Sequence, residues 1–259
     1  MSLSVVIVAQ DEERTIGRVL EAVRELADEI VLVDSGSSDR TVEIAESFGA
    51  QCHHQEWLGY AAQKNFALGL ARGDWLLSLD ADEIVTKELV SEIRALLDSG
   101  KASECDGYKI PRVLYIGDSP VRHGGFYPDA QLRLLKKGSG SFNDRLVHEA
   151  IKMDGPVRTL KSPMLHYAYS DVDGFARAME KYARLSAREF ARNSKFGWHC
   201  SHLNELVHPV WTFWSRYILR GGILDGSLGL KLTSIYSGYV RKKIRYLREE
   251  KSYGQKGAH

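Results

Sequence analysis

The sequence predicts an α/β protein with a mixed, mainly parallel central sheet and a helical C-terminal extension. Three observations carry this. Short β-branched runs alternate with helical apolar patterns through the first hundred residues. The links between them are short and carry Gly, Ser and Asp. Beyond residue 170 the alternation stops, and long helical stretches rich in aromatic and basic residues take over. The boundary expected from this is a first domain over 1–170 and an extension over 171–259.

In chain order, "LSVVIVA" (3–9) is a strand, and "RTIGRVLEAVREL" (14–26) follows with apolar residues at 16, 19, 20, 23 and 26, the spacing of an amphipathic helix. "EIVLVD" (29–34) is a second buried strand. "SGSSD" after it is turn and cap chemistry, and "RTVEIAESFG" is a helix closed by Gly49. "AQCHH" is a weak third strand, "GYAAQKNFALGLARG" a helix, "DWLLSLD" a fourth strand and "TKELVSEIRALLDSG" a helix ending on Gly100. Alternation with short links implies parallel strands covered on both faces and right-handed crossovers. "GYKIPRVLYIG" and "AQLRLLKKG" then extend the sheet, while 172–192 and 203–250 are helical.

With 259 residues, 44% hydrophobic and 27% charged, the chain is long enough for a sizeable core. Cys52, Cys105 and Cys200 have no paired metal spacing and are expected as reduced thiols in a cytosolic setting. No basic-then-apolar leader and no run near the ~18 apolar residues of a spanning helix is visible, so neither secretion nor spanning is expected. The net charge of +1 hides an asymmetry. Residues 1–106 carry 21 acidic and 9 basic side chains, net −12, and the remainder holds 13 acidic and 26 basic, net +13. A basic second half suits nucleic acid, an anionic membrane or a phosphorylated substrate.

Ligands of open α/β sheets sit beyond the carboxyl ends of the strands. Here those ends read Gln10-Asp11-Glu12-Glu13, Asp34 and Asp80-Ala81-Asp82, with Glu83 behind. Any one of these could be a helix cap or solvated turn; three at strand ends make an acidic rim. Carboxylates at i and i+2 repel unless a cation or proton separates them. Magnesium is typically held by one or two carboxylates plus substrate phosphates, which points to a phosphorylated substrate. An aspartyl-phosphate phosphatase would have Thr or Val where Ile84 stands, and a calcium loop would have a ligand at Ile84 and Gly at Val85. No dinucleotide fingerprint follows the first strand, and no phosphate loop ends in Gly-Lys-Ser/Thr.

Together "VVIVAQDEE", "VLVDSGSSDRTVEIA" and "AAQKNFALGLARGDWLLSLDADE" resemble the family 2 glycosyltransferases, whose nucleotide-sugar-binding fold is called GT-A. The later "PDAQLRLLKKG", "RLVHEAI", "LHYAYSD" and "GGILDGSLGLKL" resemble the bacterial lipopolysaccharide inner-core β-1,4-glucosyltransferase branch more loosely. The resemblance implies a metal-dependent inverting enzyme moving a hexose, glucose from UDP-glucose, onto a lipopolysaccharide-core or other phosphorylated or lipid-linked glycan. It implies that Asp34 bonds the nucleotide base, with Glu12 and the Ala9 backbone lining the base pocket. Asp82 would bind Mg2+ or Mn2+ bridging the diphosphate, Asp80 would contact ribose or metal, and His166 would contact metal or diphosphate. Lys64 and Asn65 stand where the family has Arg-Asn, near the phosphates. Asp11 replaces the usual Asn and Lys64 the usual Arg, and a lysine cannot reproduce a bidentate fork.

An inverting transferase needs a carboxylate to take the acceptor's proton. The Glu-Asp pair many relatives use is absent; in "NDRLVHEAI" His148-Glu149 resembles the His-Glu of the inner-core branch, and that resemblance implies Glu149 as base with Asp144 in reserve, Arg145 and His148 being substrate contacts beside them. A plain Glu149–Arg145 ion pair is the structural alternative. His53, His54, His199 and His202 lack a zinc-like ligand set and are expected in surface or packing roles. Arg177, Lys181, Arg184, Arg188 and Arg192 form one basic stripe, and the tail combines Trp211, Phe213, Trp214 and Tyr217 with Arg216, Arg220, Arg241, Lys242, Lys243 and Arg245. That mixture suits peripheral contact with the anionic inner face of the cytoplasmic membrane, or packing of the aromatics in a core. Two other functions compete. A nucleotidyltransferase would share fold and metal site but has a glycine-rich, arginine-containing N-terminal loop where "AQDEERT" is acidic. A nucleic-acid-binding module would leave the acidic rim unexplained, so no nucleic-acid partner is expected.

Overall fold

The computed structural model describes residues 1–143, 150–193 and 201–256, with side chains described to 191 and from 201 to 251 in the last two stretches. They form two compact units.

The first unit comprises 1–113, 128–143 and 150–167 of the described residues. Its sheet has seven strands: β1 (Leu3–Ala9), β2 (Glu29–Asp34), β3 (Gln51–His54), β4 (Trp75–Asp80), β6 (Gly107–Ile110), β9 (Gln131–Lys136) and β12 (Val157–Thr159), in the order β12-β6-β9-β4-β1-β2-β3. β3–β2–β1–β4 are mutually parallel, and β9 runs antiparallel to both β4 and β6. The expected mixed, mainly parallel sheet is thus present. Its four parallel strands are joined through α1 (Ile16–Val23), α2 (Thr41–Ser47) and α3 (Tyr60–Leu70), and α4 (Lys87–Asp98) follows β4.

Strand side chains alternate between faces. Val5, Ile7, Leu77 and Leu79 pack with Ile16, Leu20, Leu89 and Ile93 from α1 and α4, whereas Val6, Val31, Val33 and Leu76 pack with Ala67 and Leu68 of α3. Burial on both faces is why these strands read as continuous apolar runs. Several short strands had no counterpart in the expected elements, among them β5 (Glu83–Val85), which pairs antiparallel with β13 (Met164–Tyr169), and β10 (Gly140–Phe142), which pairs with β11 (Ile151–Met153). Three-residue strands carry no readable period. Thr86 caps α4, its Oγ1 accepting from the Leu89 N–H at 3.2 Å.

The second unit comprises 114–127, 168–193 and 201–256 of the described residues. It contains the antiparallel pairing of residues 114–116, the end of β7 (Arg112–Ile116), with β8 (Ser119–Val121), and α5 (Val172–Asn193), α6 (His202–Trp214) and α7 (Gly226–Lys256). Residues 114–127, assigned by sequence to the first domain, group here because Ile116 and Val121 pack with Phe175 of α5 and Leu232 of α7. A π-helical turn (Ser215–Leu219) and a 3-10 turn (Gly222–Asp225) link α6 to α7.

Candidate functional site

The apolar run of β4 ends at Asp80, the chain turns through Ala81 and Asp82, and β5 begins at Glu83. The β5–β13 ladder sets His166 opposite Glu83, and the Tyr167 N–H donates to the Asp82 carbonyl at 2.9 Å. His166 Nε2 consequently lies 3.4 Å from Asp82 Oδ2, with both side chains partly open to solvent. Arg18 of α1 lies over the Tyr167 ring, 4.3 Å from its centre.

The other two carboxylates of the turn are held by cations. Asp80 Oδ1 is 2.6 Å from Lys64 Nζ, and Asp80 Oδ2 accepts from Arg133 Nη2 at 2.5 Å. The same Nη2 donates to Glu83 Oε1 at 2.6 Å, to which Arg112 Nη1 also donates at 2.8 Å. Arg112 in turn reaches Asp129 at 2.7 Å. Glu83 is wholly buried, and its Oε2 accepts the Asp80 N–H at 3.1 Å. Burial alone would push the Asp80 carboxyl up, but Arg133, Lys64 and His166 together outweigh it and hold it well below the usual carboxylate range. Burial likewise disfavours the Arg133 and Arg112 cations, yet their carboxylates drive both in the opposite direction, further above the usual guanidinium range. The repulsion between adjacent carboxylates is therefore relieved from within for Asp80 and Glu83; for Asp82 the ion-pair contact among the described residues is the His166 imidazole.

Arg133 has no role in the sequence reading. Along β9 the register against β6 slips, Tyr108 pairing with Leu134 and Lys109 with Leu132. Arg133 is the extra residue of this bulge, which re-aims a side chain out of the ladder. A single arginine inside the apolar run "LRLLK" was the available signal, since such a residue is seldom buried unless paired.

The loops after β1 and β2 are laced together. Asp11 N donates to Ser37 Oγ (2.9 Å), Ser38 N to Asp11 Oδ1 (2.8 Å), Glu12 N to Thr41 Oγ1 (2.7 Å) and Glu13 N to Asp39 Oδ2 (3.0 Å). Asp11 has φ of +55°, a region that Asn and Asp tolerate better than most side-chain-bearing residues, so Asp is compatible with the backbone at this position. Asp34, buried, accepts from the Gly36 and Ser37 N–H groups, and the Ala9 carbonyl accepts from Ser35 N at 3.0 Å. The Glu12 carboxyl is raised, first by burial and further by Asp82, Asp39 and Asp11, against a lowering hydrogen bond from Thr15. The structure thus brings Ala9, Glu12, Asp34, Lys64, Asp80, Asp82 and His166 into the first unit, on or just past its strand ends and on α3.

Asn65 is tied to the backbone of β10. Its amide donates to the Phe142 carbonyl at 2.9 Å and accepts from the Phe142 N–H at 2.8 Å, clamping β10 just before residue 144. Asp144, Arg145, His148 and Glu149 lie outside the described residues. No group of three or more His, Cys, Asp or Glu forms a closed metal cage among the described residues. The Asp82–His166 pair fits a divalent ion that takes its other ligands from a diphosphate and water, as Mg2+ or Mn2+ does; Asp80, bound on both oxygens by Lys64 and Arg133, is a poorer ligand.

Against known proteins, the family model described as Glycosyl transferase family 2 matches residues 4–136. The chain is 30% identical over 258 residues to the lipopolysaccharide core biosynthesis glycosyltransferase LpsC of Rhizobium meliloti, covering 94% of this chain and 92% of that protein. It is 28% identical over 257 residues to an uncharacterized glycosyltransferase of Rickettsia bellii, covering 95% and 86%. Among solved structures, S. aureus TarS residues 1–349 in complex with UDP is 18% identical, with TM-score 0.50 over 99% of this chain and 92% of that one. This last likeness bears on the fold, which is GT-A.

Proposed function

The chain belongs to glycosyl transferase family 2, and from that premise we propose that it is a metal-dependent inverting hexosyltransferase, using UDP-glucose and glycosylating a lipopolysaccharide-core or other lipid-linked glycan at the inner face of the cytoplasmic membrane. The observation that carries the metal-dependent part is the Asp82–His166 pair, left open beside an Asp80 already neutralised by Lys64 and Arg133. The lipopolysaccharide-core relative supports the acceptor class. The uridine donor and glucose rest on the resemblance of the sequence motifs.

In the reaction, the acceptor hydroxyl oxygen attacks the anomeric carbon from the face opposite the diphosphate. The new C–O bond forms as the old one breaks, its electron pair leaving with the nucleoside diphosphate, and the hydroxyl proton passes to a carboxylate. A divalent ion held by Asp82 and His166 would neutralise charge gathering on the diphosphate. The imidazole is a softer ligand than Mg2+ ordinarily takes, which favours Mn2+. The laced loops after β1 and β2 hold Glu12 and Asp34 in place before donor arrives. Preorganisation of this kind lowers the ordering cost of binding.

The proton acceptor we assign to Glu149 on its sequence position, with Asp144 in reserve. Loss of a general base costs about 10²–10⁴-fold in rate, so Glu149→Gln is expected to lose that much turnover with donor affinity kept. Loss of donor affinity instead would make Glu149 nucleotide-facing, and the same rate loss in Asp144→Asn alone would move the base there. The test of the whole reading is transfer from UDP-glucose with Mn2+, its loss in chelator, and inversion at the anomeric carbon read by NMR. Full activity in chelator would remove the metal from the proposal.

A further inference from the structure

On α6 the usual placement of polar and apolar residues is inverted. Asn204 and Glu205 are buried, while Leu203, Leu206, Val207, Val210, Trp211 and Trp214 are 53–61% exposed. These six recur at the i, i+3, i+4 spacing of one helix face. Leu219 and Leu224 in the turns that follow are about 70% exposed and extend the apolar surface. Contiguous exposed apolar surface of this kind marks an interaction site, whereas scattered apolar residues do not.

We propose that this face of α6, with the turns after it, is a docking surface for an anionic lipid bilayer, lying in its interface without crossing it. The proposal rests on the lipid-linked acceptor of the proposed function and names the surface that would meet the lipid. No helix among the described residues is long and apolar enough to span. Trp211 and Trp214 supply rings of the kind that settle at headgroup level.

Charge selects the occupant. Over residues 201–231 the only carboxylates are Glu205 and Asp225. Glu205 is turned inward against Arg241, Arg245 and Arg248 of α7, at 3.8, 3.5 and 2.6 Å. Asp225 accepts the His123 N–H at 2.9 Å and lies 2.7 Å from that residue's Nδ1. Arg220 and Lys231 are exposed. The face is therefore apolar with a cationic margin, complementary to an anionic bilayer. A second copy on the same patch would be an isologous pairing that sets like charges against each other. The basic cluster at 241–245, part of the tail expected from sequence to make the contact, is partly paired with the protein's own carboxylates: Arg241 and Arg245 with Glu205, and Lys242 with Glu180. Arg184 and Arg188 of the α5 stripe are likewise paired, with Glu180 and Glu250.

The test is co-sedimentation of the full chain with phosphatidylcholine vesicles, with and without phosphatidylglycerol. Binding is expected to need phosphatidylglycerol and to weaken with salt. Leu206→Ser with Val210→Ser and Trp214→Ser is expected to weaken it about a hundredfold, whereas Arg241→Ser with Lys242→Ser should leave it within about twofold. The three apolar positions are exposed, so the fold survives their replacement, as circular dichroism would check. Binding unaffected by the apolar triple variant, binding lost in the Arg241/Lys242 variant, or no binding at all overturns the proposal. A dimer that the triple variant dissociates, without vesicle binding, overturns it in favour of a second copy. Vesicle binding is read without donor or acceptor, so its failure leaves the transferase reading standing, and absent transfer with intact vesicle binding does the reverse.

Discussion

Replacing Arg133 by leucine is expected to destabilise the protein by about 3 kcal/mol, the lower end of what removing one partner of a buried ion pair costs. The physical reason is that one Nη2 serves both Asp80 and Glu83, and Arg133 is only 5% exposed. Without it, Glu83 keeps Arg112 and Asp80 keeps Lys64, which is why the loss stays near the lower end. The pH dependence has a definite sign. Arg133 and Lys64 depress the Asp80 carboxyl against the opposing effect of burial, so its stabilising contribution is present above the ordinary aspartate value near ~3.9 and fades as pH falls through the lower folded-state value. In Arg133→Leu much of that depression is gone, so the stability gap between variant and parent narrows on acidification below about pH 4. Urea unfolding across pH measures it. A gap that is small at neutral pH, or that widens in acid, would mean the network does not carry the turn. Arg133→Lys should fall between the two, because a lysine keeps the charge and loses the planar fork.

Much of the first unit was legible because its physics is periodic. β2 occupies residues 29–34 as expected, and β1, β3, α3, β4 and α4 fall within the segments expected for them, since buried parallel strands and amphipathic helices each write a repeating pattern. β5 was not legible: "EIV" is three residues long and owes its existence to pairing with β13, some eighty positions later. The acidic rim was visible as a set of strand ends, but which carboxylate stays open was not. That depends on Arg133, and a one-residue bulge in β9 is a property of the ladder and not of any local pattern. Asn65 shows the same limit. Its amide bonds the backbone of Phe142, 77 residues away, through both its oxygen and its nitrogen, a pairing that no local pattern writes. In the second unit, the aromatic and basic content of the tail was plain from composition. Its sidedness required the burial of Glu205 beneath three arginines, which turns the apolar face of α6 outward.

Asp82→Asn and Asp80→Asn, two residues apart, are expected to fail in different ways. Asp82 has no Lys or Arg ion-pair partner among the described residues, and it is partly exposed, so its replacement should change stability by no more than about 0.5 kcal/mol. If it holds the metal, the charge stabilisation lost is several kcal/mol, and turnover should drop about 10³-fold or more. The thermal shift that Mn2+ adds in the presence of UDP should vanish with it, because a ligand that no longer binds the folded state cannot raise its stability. Asp80→Asn removes instead the anion that Lys64 and Arg133 both face, leaving Arg133 with Glu83 alone on its Nη2, and its first effect should be a loss of stability of about 1–3 kcal/mol. The Mn2+ shift should survive in whatever fraction remains folded. His166→Gln provides the third arm: it keeps a polar side chain beside Asp82 but removes the imidazole, and should weaken the Mn2+ shift without abolishing it. Differential scanning fluorimetry with and without Mn2+ and UDP, run beside a transfer assay, separates these outcomes. An Asp82→Asn protein that keeps both its Mn2+ shift and its turnover, beside an Asp80→Asn protein that loses them, would reverse the assignment and make Asp80 the ligand despite its two cationic partners.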